Sequence, residues 1–110
     1  PTSYRATDYR YTYILNKEEG ELGFCARCQS PKTGIIMETY TTQPGVQLYT
    51  GNWMTGNFEG KNGQRYPARA ALCLETQHFP DSPNKPEYPS TVLRPGEVFE
   101  SKTIYKFSAE

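Results

Sequence analysis

Wherever side chains follow a pattern in this chain, polar and apolar residues alternate with a period of two. No run keeps the apolar period of a helix over more than a few residues. Successive side chains of a strand point to opposite faces, so this alternation is that of half-buried strands. The chain is expected to be all-β. From Asp8 to Leu15, the residues Tyr9, Tyr11, Tyr13 and Leu15 alternate with Arg10, Thr12 and Ile14, in types that favour strands. Asn16 to Gly20 reads as a turn and Leu22 to Cys28 as a second strand. Ser30 to Gly34 then turns the chain into a third strand, Ile35 to Thr41. These three are expected to form a meander.

Pro44-Gly45 marks a bend before a short strand, Val46 to Thr50. Phe58 to Tyr66 carries the Asn62-Gly63 pair of a tight hairpin at its tip. Ala71 to Gln77 follows as the central strand. Beyond it, Pro80, Pro83, Pro86 and Pro89 recur every third residue, a spacing that favours extended polyproline II geometry and excludes an inner strand. This segment reads as a stiff surface loop, because it lies between strands and has no flanking positive charge for an adaptor domain. Thr91 to Leu93, a turn at Arg94-Pro95-Gly96-Glu97 and a strand Thr103 to Phe107 close the chain.

A length of 110 residues allows one domain at most. Only 35% of residues are in the apolar class, and nine of these are Tyr, so a self-contained core must be thin and aromatic. Twelve basic residues balance 12 acidic ones, which removes the electrostatic footprint of a nucleic-acid or anionic-membrane binder. No apolar run approaches a membrane span. The odd cysteine count, Cys25, Cys28 and Cys73, points to a reducing compartment. Cys25 and Cys28, three apart in a strand, would face opposite ways and could share an ion only across a bend. They are expected to be buried free thiols. The Tyr and Phe residues are expected mostly in the core; Trp53, beside Gly51 and Gly56, is the best candidate for an exposed, sugar-stacking ring, with a packed loop anchor as the equal alternative.

The strand Ala71 to Gln77 holds the chain's best candidate for chemistry. Leu72, Leu74 and Thr76 fall on one side, and Cys73, Glu75 and Gln77 on the other. A carboxylate in such a strand is costly to bury without partners or a task. Gln77 projects beside Glu75 and could hold a polar ligand next to it, in the manner of a general base and its neighbour. A polar strand face turned to water explains the same spacing.

Three blocks decide between these readings. Thr41 to Asn52 (TTQPGVQLYTGN), Cys73 to Pro86 (CLETQHFPDSPNKP) and Leu93 to Glu97 (LRPGE) together resemble, in order and spacing, the C-terminal part of the aldose 1-epimerases, or galactose mutarotases. The resemblance runs from about Tyr13 to Ala109. It implies a segment, residues 1 to 110, of a large antiparallel β-sandwich of the galactose mutarotase-like type, whose N-terminal part is absent from this chain. The implied reaction interconverts the α and β anomers of aldoses such as galactose or glucose by acid and base ring opening. By the same resemblance Glu75 is the general base and Gln47 contacts the aldose sugar. No metal or organic cofactor is required.

Two departures accompany the resemblance. The family's catalytic His and a second sugar-binding His lie in the N-terminal part, and His78 matches neither; it reads as a rim or packing residue. The family's sugar-binding Asp belongs to a D-H-N-Y or D-H-N-F block, where this chain has Arg10-Tyr11-Thr12-Tyr13, with Asp8 two residues early. Either the register slips, the specificity differs, or the first dozen residues depart from a working enzyme. The alternative is therefore a non-catalytic carbohydrate-binding or regulatory relative. A piece of sandwich exposes open edges and half a core, so a homo-oligomer or association with the missing N-terminal part is expected. Family habit and the cysteines together place the protein in the cytoplasm.

Overall fold

The structure, a computed structural model, describes residues 11–110. The readings placed on Asp8, Tyr9 and Arg10 lie outside the described residues. Among those described, the chain forms β1 (Tyr11–Ile14), β2 (Gly23–Gln29), β3 (Ile35–Thr41), β4 (Gly45–Tyr49), β5 (Thr55–Glu59), β6 (Arg65–Pro67), β7 (Cys73–Gln77) and β8 (Thr103–Ala109). The only helical pieces among them are 3-10 turns at Lys61–Gly63 and Ser82–Asn84. The all-β expectation holds. No helix of the described residues is long and apolar enough to cross a membrane.

The strands form two three-stranded antiparallel sheets, in the orders β1-β4-β7 and β2-β3-β8, and a separate β5-β6 hairpin. The expected three-strand meander is therefore corrected: β2 pairs with β3, but β1 crosses to the other sheet and pairs with β4. The connection 15–22 is longer than a tight hairpin allows. The Leu15 amide instead donates to the Pro44 carbonyl at 3.0 Å, which extends the β1-β4 ladder. The strand expected to be central, β7, is also corrected. It lies at one edge of its sheet among the described residues, and β4 is the middle strand.

Period-two alternation gives the first sheet two unlike faces. Tyr11, Tyr13, Val46, Leu48, Leu74 and Thr76 share one of them by register, and Thr12, Gln47 and Glu75 share the other. The first face turns towards the second sheet: the Thr76 and Thr103 hydroxyls meet at 2.8 Å, and the Tyr105 hydroxyl donates to the Leu74 carbonyl at 3.0 Å. The core between them is aliphatic and very small. Val46 is its one buried apolar side chain among the described residues; Ile36, also buried, falls by register with Glu38 and Tyr40 on the far face of the second sheet, and no described aromatic is buried. Tyr13, Phe24, Phe58, Phe99 and Phe107 are each more than half exposed, so the expected aromatic core is not formed among the described residues.

Local chemistry explains the turns. At the hairpin tip, Asn62 (φ 58°) and Gly63 (φ 72°) both occupy the left-handed region that a type I′ turn requires, and the Gln64 amide donates to the Lys61 carbonyl at 3.2 Å. The polyproline II expectation for Pro80 to Pro89 is corrected by the 3-10 turn at Ser82–Asn84. Asp81, itself left-handed (φ 65°), accepts from the Asn84 side-chain amide, and Pro83 sits in the first turn, where a missing N–H costs nothing. The Phe79 and Tyr88 rings meet edge to face at 5.4 Å and fold the loop back on itself. Thr91 to Leu93 forms no strand.

Gly34 closes the β2-β3 connection. Its amide donates to the Ser30 carbonyl at 2.8 Å and its carbonyl accepts from the Glu110 amide at 3.0 Å, with φ at +74°. A Cβ there would run into the Glu110 carbonyl oxygen. Gly34→Ala is expected to cost about 1–2 kcal/mol from the left-handed backbone alone, before the clash is counted. Urea denaturation measures this, and an unchanged midpoint would contradict it.

Candidate active site

The register of the first sheet builds one polar row. Thr12 of β1 stands opposite Gln47 of β4, and Gln47 stands opposite Glu75 of β7, so all three project from the same face. The next row is Ile14, Gly45 and Gln77. Because Gly45 presents no side chain, the amide of Gln77 can lean across it: Gln77 Nε2 donates to Gln47 Oε1 and to Thr12 Oγ1, both at 3.3 Å. Thr12 Oγ1 also donates to Gln47 Oε1 at 3.3 Å.

These bonds fix which groups remain for a ligand. Gln47 Oε1 accepts twice, which orients the amide and leaves both Nε2 protons to donate outward. Gln47 is 9% exposed, so its amide is held in one place rather than waving in solvent. Gln77 spends its Nε2 within the row and keeps Oε1 as an acceptor. Glu75 is half-buried, and no hydrogen bond or ion pair to its carboxylate is formed by the described residues. An amide donor, an amide acceptor and an uncommitted carboxylate thus share one patch. Such a set can hold vicinal hydroxyl groups and take a proton from one of them.

Behind Gly45 the patch has a wall. A Cβ on Gly45 would lie 2.8 Å from Phe79 Cε1 and 3.1 Å from Thr12 Cγ2, so the Phe79 ring seats directly on the glycine. His78, one residue earlier, faces the other way. Its Nδ1 lies 2.7 Å from Gln43 Oε1, in keeping with a packing residue and away from the Glu75 face.

The remaining sequence candidates lie elsewhere. Cys25 and Cys28 are free and half-buried, and Cys73 is exposed, which corrects the expectation of buried thiols. A bulge between Phe24 and Ala26 supplies the bend that a regular strand lacks, and both Cys25 and Cys28 line one cleft of about 750 Å³. Burial pushes the Cys25 thiol up, Cys28 adds to this, and Lys17 opposes it. No group of three or more His, Cys, Asp or Glu among the described residues could hold a metal ion. This large cleft is walled by Tyr13, Val46, Leu48 and Leu74, the face opposite Glu75, so it belongs to the open core and not to the polar row. Trp53 is 66% exposed, as expected of a free ring, and shares a cleft with Phe58 and Tyr66 at the hairpin.

Sequence spacing singled out Glu75 and Gln77; Gln47 came from the resemblance alone. Thr12 and Gly45 were missed, since only the pairing of β1 with β4 brings them to the row. Replacing Gln47 by Leu is expected to leave the Gln77 amide and Thr12 without their shared acceptor. Loss of one buried amide partner weakens ligand binding by about tenfold or more. Calorimetric titration with a polyhydroxyl ligand reads this, and an unchanged affinity would remove Gln47 from the site.

A sequence model described as aldose 1-epimerase matches residues 5–106. The galactose mutarotase of Mus musculus is 54% identical over 105 residues, which cover 96% of this chain and 30% of that protein. The aldose 1-epimerase of Escherichia coli K12 is 35% identical over 104 residues, covering 93% of this chain and 30% of that protein. Among solved structures, that of a GalM/aldose epimerase homologue from C. elegans superimposes with a TM-score of 0.75 at 30% identity, covering 89% of this chain and 29% of that one. The chain thus spans about 30% of the length of the relatives it matches.

Proposed function

The chain belongs to the aldose 1-epimerase family, and on that premise we propose that it carries the base half of a mutarotase site, with Glu75 as general base and Gln47 as sugar anchor. The observation that carries this reading is the row Thr12, Gln47, Glu75 with Gln77 beside it, in which Glu75 alone makes no side-chain bond to the others. The relatives' names, galactose mutarotase and aldose 1-epimerase, support anomer exchange of an aldose as the reaction.

In this reading Glu75 accepts the proton of the anomeric hydroxyl. The electron pair of that O–H bond forms the carbonyl, the bond from C1 to the ring oxygen breaks, and an acid delivers a proton to the ring oxygen. The open chain turns about its C1–C2 bond. The ring oxygen then attacks the other face of the carbonyl, its proton returns to the acid, and Glu75 gives back the one it took. The Gln47 amide donates to a sugar hydroxyl, and Gln77 Oε1 accepts from a second. A base fixed against its substrate contributes about 10²–10⁴-fold to such a step. The resemblance implies that the acid is a histidine of the family's N-terminal part, and His78, turned to Gln43, is not placed for that role. The open apolar faces support association with that remaining part of the sandwich or with a second copy of the chain.

The test is optical rotation of freshly dissolved α-galactose and α-glucose. It is run with the chain alone and with a hybrid in which the chain replaces the matching segment of the mouse relative. Acceleration by the hybrid supports the reading. Saturable sugar binding without acceleration in either form would favour a non-catalytic carbohydrate-binding relative.

A further inference from the structure

β7 presents a mechanical difficulty for a catalytic strand. Its backbone is laddered to β4 on one side, and no strand lies on its other side among the described residues. Edge strands fray and slip, whereas a base must stay within about 0.5 Å of its working position. Thr76 and His78 alternate with Glu75 and Gln77, so they point away from the polar row and into the space between the sheets. Both are hydrogen-bonded there.

The bonds form one connected chain. Thr76 Oγ1 meets Thr103 Oγ1 at 2.8 Å, and Thr103 Oγ1 meets Thr41 Oγ1 at 3.0 Å. Thr41 Oγ1 accepts the Gln43 amide N–H at 3.0 Å, and the Gln43 side chain spans Ser101 Oγ and His78 Nδ1, both at 2.7 Å. Each hydroxyl has one proton and room to accept, so protons ordered in a single direction satisfy every link. Thr41 is wholly buried and Gln43 is 7% exposed, which makes a broken link costly. The second sheet is itself braced at this point. The Thr42 hydroxyl accepts the Lys102 amide N–H at 3.0 Å, and the Lys102 carbonyl accepts the Thr42 amide N–H at 3.0 Å. By contrast the Thr39 hydroxyl, two residues back along β3, has no partner, so hydroxyl pairing is not general on this face.

We infer that Thr103 is a positioning residue for the site: its hydroxyl, shared between Thr41 and Thr76, pins the edge strand that carries Glu75 and Gln77 to the opposite sheet, with the Gln43–His78 and Tyr105–Leu74 contacts as further pins. Thr103 touches no residue of the polar row. It acts through Thr76, whose backbone neighbours are Glu75 and Gln77. The inference rests on the reading of Glu75 as base only for its catalytic consequence; the pinning itself is independent of it.

The test compares Thr103→Val, which keeps the shape and removes the hydroxyl, with Thr103→Ser, which keeps the hydroxyl. Amide hydrogen exchange of the sugar-free chain is read at β7 and, as reference, within β2 and β3. Thr103→Val is expected to speed exchange at Glu75 and Gln77 about tenfold while β2 and β3 hold, and Thr103→Ser to restore the native pattern. In the hybrid enzyme the same Val variant is expected to lower kcat about tenfold with KM within twofold, again restored by Ser. Should Thr103→Val fail to fold, Thr76→Val removes only the link to β7 and serves the same comparison. Unchanged exchange at β7, or a Ser variant as damaged as Val, would overturn the inference. If Glu75→Gln leaves the rate untouched while exchange behaves as expected, the base assignment falls and the pinning stands.

Discussion

Glu75→Gln is expected to reduce anomer exchange by about 10³-fold or more in the hybrid enzyme, while the melting temperature of the chain stays within a degree or two. The argument for a large kinetic effect is chemical. Gln has the shape of Glu and can still donate and accept hydrogen bonds, but it cannot take the anomeric proton at neutral pH. The argument for a small effect on folding is structural. No described residue bonds the carboxylate, so nothing is orphaned when it becomes an amide. Glu75→Asp sharpens the test, since it retains the proton acceptor and withdraws it by one methylene; it is expected to fall between the two. Polarimetry gives the rates and calorimetry the affinity for galactose, which should change little for Gln. A Glu75→Gln enzyme that keeps its full rate would show the base to lie elsewhere.

The two sides of this argument were unequally legible in the sequence. Alternation along Ala71 to Gln77 was enough to put Glu75 and Gln77 on one face, because strand parity is a local property. Parity also gave the all-β class and the bounds of β3. It could not give the partner of β1, which depends on an encounter between residues 35 positions apart. With that pairing wrong, Thr12 could not be seen beside Gln47, nor Gly45 beneath Phe79. The bulge that turns Cys25 and Cys28 into one cleft was invisible for a related reason. A single extra residue changes parity without changing composition. The aromatic core failed on different grounds: the rings are present, but the described residues do not supply the surfaces that would cover them. Burial depends on how sheets are packed and not on strand parity, and the chain spans about 30% of the length of its relatives.

Gly45→Val is expected to produce the second large effect, since it strikes the fold and the site at one atom. Gly45 is buried and lies in the middle strand of the first sheet, with its open side under the Phe79 ring. The first carbon of a side chain would sit 2.8 Å from Phe79 Cε1, 3.0 Å from Cδ1 and 3.1 Å from Thr12 Cγ2, each inside ordinary contact. Phe79 cannot simply swing away, because Tyr88 packs edge to face on it at 5.4 Å and closes the loop behind. Forcing such a contact costs about 1–3 kcal/mol in a packed region. The two methyl groups of Val would also fill the gap across which Gln77 reaches Gln47 and Thr12, so the pair of amides would separate. Sugar affinity is expected to fall by at least about tenfold, the loss that follows when a buried amide partner is taken away. Gly45→Ala should show the same two effects at smaller size, since it adds the clashing carbon without the methyls. Chemical denaturation and calorimetric sugar titration read the two effects separately. A Val variant of native stability and affinity would mean that Phe79 moves freely, and the wall assigned to the site would then be no wall.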